Sequence, residues 1–135
     1  MREILFKAKR IDNGEWVDGY VVRKHGLYFI YSIVNSESCR QNNYEIDPET
    51  VCQFTGLCDK NGNRIWENDI LMAHLDESYP EDVTNETVEW GVAGWVGHEI
   101  GSMDRKYIDK FDLEHFEVAG NVFDNKELLQ EGSDE

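Results

Sequence analysis

Basic residues are scarce in this chain of 135 residues. Its 13 Lys and Arg stand against 28 Asp and Glu, which gives a formal net charge of −15 at pH 7. A chain with this charge is repelled by phosphate backbones and by anionic lipid, so we expect neither direct nucleic-acid binding nor attachment to a membrane surface. A partner with basic groups fits this charge better.

Long apolar runs are also missing. The chain nowhere holds an uninterrupted apolar stretch of about 18 residues, the length that a membrane-spanning helix needs. Its first residues include the charged Arg2 and Glu3 and lack the apolar core of a secretory signal. We therefore expect a cytoplasmic protein without a membrane span.

Cysteine is limited to Cys39, Cys52 and Cys58. Their number is odd and no Cys-x-x-Cys pair occurs, so the sequence indicates neither a disulfide framework nor a zinc knuckle. Free cysteine usually behaves as a small buried apolar residue. We expect reduced thiols, with Cys52 and Cys58 in or next to a core.

Catalytic motifs are incomplete. His98-Glu99 begins like the helical zinc-protease motif, but Ser102 occupies the place of the second histidine. No nucleophile elbow occurs, no cysteine has an obvious activating partner, and the glycines at residues 91–94 lack phosphate-loop spacing. The other three histidines are scattered along the chain. The sequence therefore predicts no catalytic site, no metal and no cofactor.

The richest turn signals lie in residues 46–71. Pro48 opposes a helix and favours an extended chain, which predicts a strand over residues 51–57. Asn61-Gly62 between apolar runs is a strong hairpin signal and predicts a returning strand at residues 64–66. Asn68 tolerates the left-handed region, so we predict a tight turn or bulge there.

The chain before this stretch alternates short apolar segments with turn residues. This pattern predicts an antiparallel meander of three strands, over residues 3–11, 16–23 and 27–34. Residues 35–43 are rich in Ser and Asn and predict a polar loop.

The chain after this stretch begins with an acidic segment, residues 76–85, which predicts an exposed loop. Residues 86–92 alternate as a half-buried strand, and the glycines that follow indicate a bent strand pair. Residues 103–115 are compatible with a short helix or an ordered loop. A last strand over residues 116–123 and a short helix over residues 126–130 complete the prediction.

Three segments carry a family resemblance. They are R-E-I-L-F-K-A at residues 2–8, P-E-T-V-x-Q-F-T-G-L-x-D-K-N-G-x-x-I-W-E-N-D-I at residues 48–70, and F-E-V-A-G-N-V-F-D-N-K-E-L-L at residues 116–129. Together they resemble the YopX family of phage and prophage proteins, in which glycine usually occupies the position of Asn68. The resemblance implies a small, mainly β protein with an SH3-like barrel component. The family has no established activity, so the resemblance implies no catalytic residue.

The predicted fold class is therefore mainly β. We expect an N-terminal antiparallel meander over residues 1–45 and an SH3-like, partly open barrel with a short C-terminal helix over residues 46–130. Residues 131–135 form an acidic tail. Whether the two parts share one core stays open.

Aromatic side chains supply the candidate recognition surface. The chain has four Trp, six Tyr and six Phe, and exposed aromatics in small barrels can line a peptide groove. Trp66 and Trp95 each adjoin a predicted bend and are expected to be partly exposed, and with Tyr79 they form the candidate protein-binding surface. The alternative is that the aromatics are core residues.

Three hypotheses about function follow. The first is a phage- or prophage-encoded accessory protein, a β module that binds a host or phage protein or assembles with itself. The second is an acidic nucleic-acid mimic that inhibits a DNA-binding protein, which requires carboxylates along one rigid face. The third is an enzyme, which requires a deep polar pocket that groups His98 or His115 with carboxylates.

Overall fold

The protein, in a computed structural model, is described over residues 5–33, 41–74 and 83–129. Antiparallel strands dominate these ranges, so the prediction of a mainly β chain is confirmed. Within them, no helix has the length and apolar character to cross a membrane. The elements are β1 (Phe6–Lys9), β2 (Trp16–Lys24), β3 (Leu27–Ile33), β4 (Gln41–Glu45), a 3₁₀ turn (Pro48–Thr50), β5 (Cys52–Cys58), β6 (Arg64–Trp66), β7 (Asp69–Ala73), β8 (Thr84–Trp90), β9 (Trp95–Glu99), β10 (Arg105–Tyr107), α1 (Lys110–His115), β11 (Glu117–Asn121) and a second 3₁₀ turn (Lys126–Leu129).

The chain forms two compact units, Met1–Phe54 and Thr55–Glu135. In the first unit the strand order is β4-β3-β2-β1-β5, and β5 continues past the boundary to pair with β6 in the second unit. The second unit also holds a five-stranded sheet of order β10-β9-β8-β7-β11. The sheets of the described residues do not close into a barrel, which agrees with the predicted partly open β fold.

The first unit is a meander joined by short turns. His25 and Gly26 have φ of 53° and 80° and make the tight turn between β2 and β3. An isolated bridge between Arg10 and Ile46 ties the chain after β1 to the chain after β4. Ala8, Ile30 and Ile46, none more than 1% exposed, form the centre of this unit's core.

The predicted polar loop over residues 35–43 is wrong at its end, because β4 begins at Gln41 and pairs with β3 from Ile33↔Gln41 to Phe29↔Glu45. This strand lies at the edge of its sheet and carries mostly polar side chains. It forms because β3 supplies a complete hydrogen-bonding partner, not because of its own hydrophobic pattern. Residues 34–40 lie outside the described ranges.

The second unit has its own core. It is built from buried side chains of β6, β7, β8 and β9, and from the residue after α1. They are Ile65, Leu71, Ala73, Val88, Trp95 and Phe116. The predicted Asn-Gly hairpin between β5 and β6 is present, with the Asp59 N–H donating to the Asn63 carbonyl at 2.8 Å and Gly62 at φ 84°.

Residues 103–115 contain both β10 and α1. The helix begins with a reciprocal capping box, in which the Asp109 and Asp112 side chains each accept from the other's backbone N–H at 3.0 Å. Of the two alternatives that the sequence left open here, a short helix and an ordered loop, the helix is present. The strand β10 has three exposed residues and no apolar alternation, so the sequence did not predict it.

The cysteines only partly follow their prediction. Cys52 is 1% exposed and lies in the core, as expected. Cys58, at the end of β5, is an exposed free thiol, so its predicted place beside the core is wrong. Cys39 lies outside the described residues.

Asn68 has φ of 70°, which confirms the predicted turn between β6 and β7. Its N–H donates to the Val88 carbonyl at 2.8 Å, and its carbonyl accepts from the Val122 N–H at 3.0 Å. Asn68→Val is expected to lower the free energy of unfolding by about 1–2 kcal/mol, because a β-branched residue is strained in this region. Asn68→Gly avoids that strain and should lie closer to wild type. Urea unfolding of the three proteins checks this, and equal stability of the two variants would contradict it.

Candidate functional site at the end of the β8–β9 hairpin

The predicted exposure of Trp66 and Trp95 is wrong, because these side chains are only 8% and 9% exposed. The turn at Asn68 brings Asp69 back to accept from the Trp66 N–H at 2.8 Å, which folds this bend inward. Trp95 belongs to the core of the second unit. Side chains this deeply buried offer little area to a partner. Tyr79 lies outside the described residues.

Other apolar side chains are exposed at the end of the sheet where β8 ends, β9 begins and β10 ends. Trp90 is 56% exposed, Val92 is fully exposed, and Tyr107 is 52% exposed. We call these three residues the hairpin patch. Large apolar side chains that cluster on a surface commonly mark an interaction site.

The turn itself presents this patch. Its closing hydrogen bond runs from the Gly91 N–H to the Gly94 carbonyl at 2.7 Å, so Val92 projects from the tip. The Trp90 ring packs edge-on against the buried Trp95 ring, with centroids 4.8 Å apart and planes at 71°. A Cβ placed on Gly94 would stand 3.7 Å from the Tyr107 ring, so that ring lies beside the turn. The patch is therefore held by ordered neighbours.

The patch wraps around the end of the sheet. Side chains alternate along a strand, so Trp90 shares a face with the core residue Val88, and Tyr107 lies on the opposite face with Arg105. Val92 stands at the tip between them. A partner that reaches this end of the sheet therefore meets aromatic surface on both faces.

A polar network on the Tyr107 face holds β10 against its neighbours. The Glu89 carboxylate accepts from Arg105 Nε at 2.9 Å and lies 3.0 Å from His98 Nδ1. Burial acts to raise the pKa of Glu89, but the hydrogen bonds from Arg105 and His98 outweigh it and hold the pKa below 4.5. These contacts join β8, β9 and β10 through side chains as well as backbone.

His98 is engaged at both ring nitrogens. Its Nε2 lies 2.7 Å from the Ser102 carbonyl, while its Nδ1 faces Glu89. The Ser102 hydroxyl oxygen accepts from the Asp104 N–H at 3.0 Å, so this hydroxyl belongs to the turn. These contacts give His98 a structural role in positioning the loop between β9 and β10.

Across residues 5–33, 41–74 and 83–129, no group of three or more His, Cys, Asp and Glu is arranged to hold a metal ion. His115, the other histidine of the enzyme hypothesis, stacks on Phe111 at 4.0 Å, and its Nδ1 lies 2.8 Å from the Phe111 carbonyl.

The opposite face of the sheet is crowded with carboxylates. Burial raises the pKa of Glu86, and the negative charges of Asp112, Glu99 and Asp109 raise it further, while Lys106 opposes them. Lys106 Nζ lies 3.4 Å from Asp112 Oδ1. This face therefore carries more negative than positive charge next to β10.

The acidic character of the chain is concentrated in one unit. Residues Met1–Phe54 hold seven Lys and Arg against eight Asp and Glu, a net charge of −1. Residues Thr55–Glu135 hold six against 20, a net charge of −14. The hairpin patch thus lies in the strongly acidic unit.

The first unit has an open cleft of about 370 Å³ beside β4. Arg10 stacks over the Tyr44 ring at 4.3 Å and makes a two-point ion pair with Asp12, at 2.9 and 2.6 Å. Because the Arg10 guanidinium is already paired with the Asp12 carboxylate, the cleft has little capacity to bind an anion. Its lining residues are Arg10, Ile11, Asp12, Asn43, Tyr44 and Glu45.

The sequence contained a signal for the hairpin patch. Residues 90–95 read W-G-V-A-G-W, an uncharged run in the acidic half of the chain. An apolar Val between two glycines of a tight turn cannot enter the core of its own sheet. That observation could have singled out Val92 before the structure.

Comparison with known proteins gives a family and a fold. A family model described as YopX protein matches residues 5–130. The crystal structure of protein EF1440 from Enterococcus faecalis is similar over 96% of this chain and 100% of that chain, with a TM-score of 0.62 and 20% sequence identity. At this identity the likeness shows the fold alone. None of the curated proteins that were compared with the chain matches it.

Proposed function

The chain belongs to the YopX protein family, and from the hairpin patch we propose that it is a non-enzymatic accessory protein of a phage or prophage that binds a host or phage protein. The proposed place of action is the cytoplasm. The observation that carries the proposal is the exposure of Trp90, Val92 and Tyr107 together at one ordered end of a sheet.

Aromatic side chains at such positions can supply most of the energy of a protein interface. Trp and Tyr are enriched among interface residues whose loss weakens binding by about 2 kcal/mol or more. Trp90 is half-exposed yet braced by Trp95, so it loses little conformational freedom on binding. Both features support a recognition role.

The non-enzymatic part of the proposal is supported by what the polar groups do. His98 and Glu89 are hydrogen-bonded to neighbouring groups that position β10 and the loop before it. Carboxylates and histidines of a reaction centre usually converge on a cleft instead. An activity that depends on His98 would contradict this part.

The test begins with capture of partners from the natural host and continues with a purified partner. Trp90→Ala is expected to weaken the reconstituted complex about thirtyfold or more, because the variant removes the largest exposed ring of the patch. Isothermal titration gives the affinity, and thermal unfolding shows whether the variant remains folded.

Met103→Ala is the matched control. Met103 is 92% exposed and lies between β9 and β10, at the opposite end of β9 from Trp90. Its loss should leave the affinity unchanged. Failure to reconstitute any partner, or equal effects of the two substitutions, would reject the hairpin patch as the binding surface.

Self-assembly is the variant of this proposal in which a second copy covers the patch. In a pair of copies, the two second units would each carry a net charge of −14 and would repel one another. This repulsion favours a partner other than a second copy. A measured solution mass that doubles with concentration, and returns to one chain in Trp90→Ala, would favour the second copy.

The nucleic-acid mimic is a second candidate, favoured by the concentration of charge in Thr55–Glu135. Against it, Glu86 and Glu89 lie on opposite faces of β8, which does not resemble one row of phosphates. Stoichiometric release of DNA from a host DNA-binding protein would support the mimic. If Trp90→Ala does not change this release, the mimic explains the function better than binding through the hairpin patch does.

A further inference from the structure

The β2–β3 hairpin differs in charge from the rest of this acidic chain. Residues 19–36 contain no Asp or Glu, although the whole sequence has 28. The tip of the hairpin carries Arg23, Lys24 and His25, which are all exposed. Across the described ranges, neither Arg23 nor Lys24 forms an ion pair with a carboxylate. The tip is therefore a local positive site in a chain of net charge −15.

Tyrosine rings hold the two cations of the tip. Lys24 Nζ donates to the Tyr31 hydroxyl at 3.2 Å and lies 5.9 Å from the centre of the Tyr31 ring. The Arg23 guanidinium lies 5.7 Å from the centre of the Tyr28 ring. A cation over an aromatic ring is attracted by the electrons of the ring. These contacts restrain both side chains, so a ligand that binds them meets groups that are already in place.

Two tyrosines follow Lys24 along one face of the sheet. Side chains alternate along β2 and β3, so Tyr20 and Tyr31, which pair directly across the two strands, share a face with Lys24. The core of the first unit packs against the opposite face, where Ile30 lies. Tyr20 is 51% exposed and Tyr31 is half-buried. The two rings are therefore open to a ligand on the side of the sheet that carries Lys24.

The Tyr31 side chain extends along the sheet toward the tip. The Val22–Phe29 pair lies between the position of Tyr31 and that of Lys24, on the same face. The Tyr31 and Lys24 side chains therefore bridge this pair to form their hydrogen bond. The result is a cation beside an aromatic ring, which is the arrangement that a stacked base and its phosphate require.

The same face continues to Trp16 on β2. Lys7 Nζ and Lys9 Nζ lie 4.6 and 5.5 Å from the centre of the Trp16 ring. Between Trp16 and Lys24, at the two ends of β2, the strand spans about 27 Å. Aromatic rings and cations thus follow one another along a track that is long enough for several nucleotides.

Acids also belong to this face. Asp18 lies opposite Lys7, and Glu45 lies opposite Phe29. A carboxylate can accept a hydrogen bond from the amino group of a base, but it repels a phosphate. Phosphate contacts are therefore expected at the tip of the hairpin, next to Lys24.

We propose that this face binds single-stranded nucleic acid, with bases stacked on Tyr20 and Tyr31 and phosphates beside Lys24. The inference goes beyond the proposed function, because it involves neither the hairpin patch nor a protein partner. Aromatic rings that stack bases, together with cations along the backbone, are a common means by which proteins hold single strands.

The charge of the chain selects the single strand over the duplex. A duplex is bound largely through its phosphates, so a chain of net charge −15 repels it. The bases of a single strand are accessible to the rings, and stacking does not depend on net charge. The acids are also unevenly distributed, because the first unit has a net charge of only −1. An acidic segment of a protein would meet the same cations but would leave the rings without a stacking partner.

The probe is a fluorescein-labelled oligothymidylate of about twelve nucleotides, within the range of about 4–16 nucleotides that such surfaces occupy. The whole chain is titrated into it at low salt, and fluorescence anisotropy reports binding. The single strand should bind about tenfold or more tightly than the same strand annealed to its complement. A capped glutamate peptide of equal charge should not compete. Oligouridylate of the same length shows whether RNA or DNA binds more tightly.

Substitutions of the tyrosines test the stacking. Tyr31→Ala should weaken binding about fivefold or more, because it removes one stacking ring, whereas Tyr31→Phe keeps the ring and should stay close to wild type. Tyr20→Ala removes the more exposed ring, which disturbs the fold less, and should weaken binding to a similar degree. Tyr107→Ala is the matched control, because Tyr107 is 52% exposed but lies in the hairpin patch. It should leave the affinity unchanged.

Lys24→Gln tests the phosphate contact. For single strands, the logarithm of the affinity falls with the logarithm of the salt concentration by about 0.7 for each phosphate that the protein neutralises. The variant should therefore reduce this slope by about 0.7 relative to wild type. Lys110→Gln, at an exposed lysine of the second unit, should leave the slope unchanged.

The outcomes separate this inference from the proposed function. A preference for the single strand, together with weaker binding by Tyr20→Ala and Tyr31→Ala, supports it. Absence of binding to both single strands, equal affinity for strand and duplex, or equal effects of Tyr31→Ala and Tyr107→Ala overturns it. Displacement of the strand by the glutamate peptide overturns it as well, in favour of an acidic protein segment. If Trp90→Ala loses a protein partner but binds the oligonucleotide as wild type does, the two surfaces are independent and both proposals stand.

Discussion

Phe116→Ala is expected to lower the free energy of unfolding by about 3–5 kcal/mol, the usual loss for deleting a buried aromatic side chain. Phe116 is 2% exposed and lies in the core of the second unit with Leu71 and Val88. The truncation leaves a cavity that the surrounding strands cannot fill completely. Urea unfolding measures the loss.

Phe111→Ala is the matched control for this prediction. Phe111 lies on α1, five residues before Phe116, but it is 50% exposed and stacks mainly on His115. Its truncation should lower the free energy of unfolding by only about 0.5–1.5 kcal/mol, the worth of an exposed ring pair. Equal losses for the two variants would show that Phe116 does not contribute to the core of the second unit.

Asp59→Ala is expected to lower the free energy of unfolding by about 3 kcal/mol. Asp59 is 6% exposed, and its carboxylate accepts from the Asn61 and Asn63 N–H groups at 2.9 and 2.8 Å and from the Val118 N–H at 2.9 Å. Alanine removes the acceptor of all three N–H groups, of which that of Val118 lies on a partly buried strand, and it releases β11 from the hairpin between β5 and β6. Urea unfolding at neutral pH measures the effect.

The control is Asp12→Ala, another aspartate in a turn. Its side chain is 65% exposed and is paired with Arg10, so its loss should leave the free energy of unfolding nearly unchanged, because solvent screens an exposed ion pair. Asp59→Asn keeps one acceptor oxygen but turns an amide toward neighbouring N–H groups. It should fall between wild type and Asp59→Ala.

Asp59 also predicts a pH dependence. Burial acts to raise the pKa of Asp59, but the N–H groups of Val118, Asn63 and Asn61 outweigh it and hold the pKa below 3.8. The folded pKa is thus below the unfolded one, so this stabilisation is complete above the unfolded pKa and is lost as the pH falls through the folded pKa. Between about pH 6 and pH 3, wild type should lose more stability than Asp59→Ala. Parallel curves would contradict this assignment.

Local sequence determined the turns and most of the strands. The Asn-Gly pair at residues 61–62 and the left-handed Asn68 were predicted correctly, because few residue types tolerate those backbone angles. The meander of the first unit and the family resemblance also followed from short segments. These are properties that a few neighbouring residues decide.

Edge strands were not accessible from local sequence. Strands β4 and β10 were missed because neither alternates polar and apolar residues. Each exists because a neighbouring strand offers a ladder of hydrogen-bonding groups. The residue pattern of the edge strand itself does not reveal that neighbour, even where the two are close in the chain. Both edge strands therefore became apparent only in the structure.

The exposure of aromatic residues was decided by tertiary packing. The sequence placed Trp66 and Trp95 near bends, but a bend can turn a side chain inward or outward. Trp95 packs among core residues while its cross-strand partner Trp90, on the same face, extends past the end of the core. Composition determined a small acidic protein, and short segments determined its β character and its family resemblance. Only the packing of distant residues decided which apolar side chains remain in contact with water, because burial depends on what the rest of the chain covers.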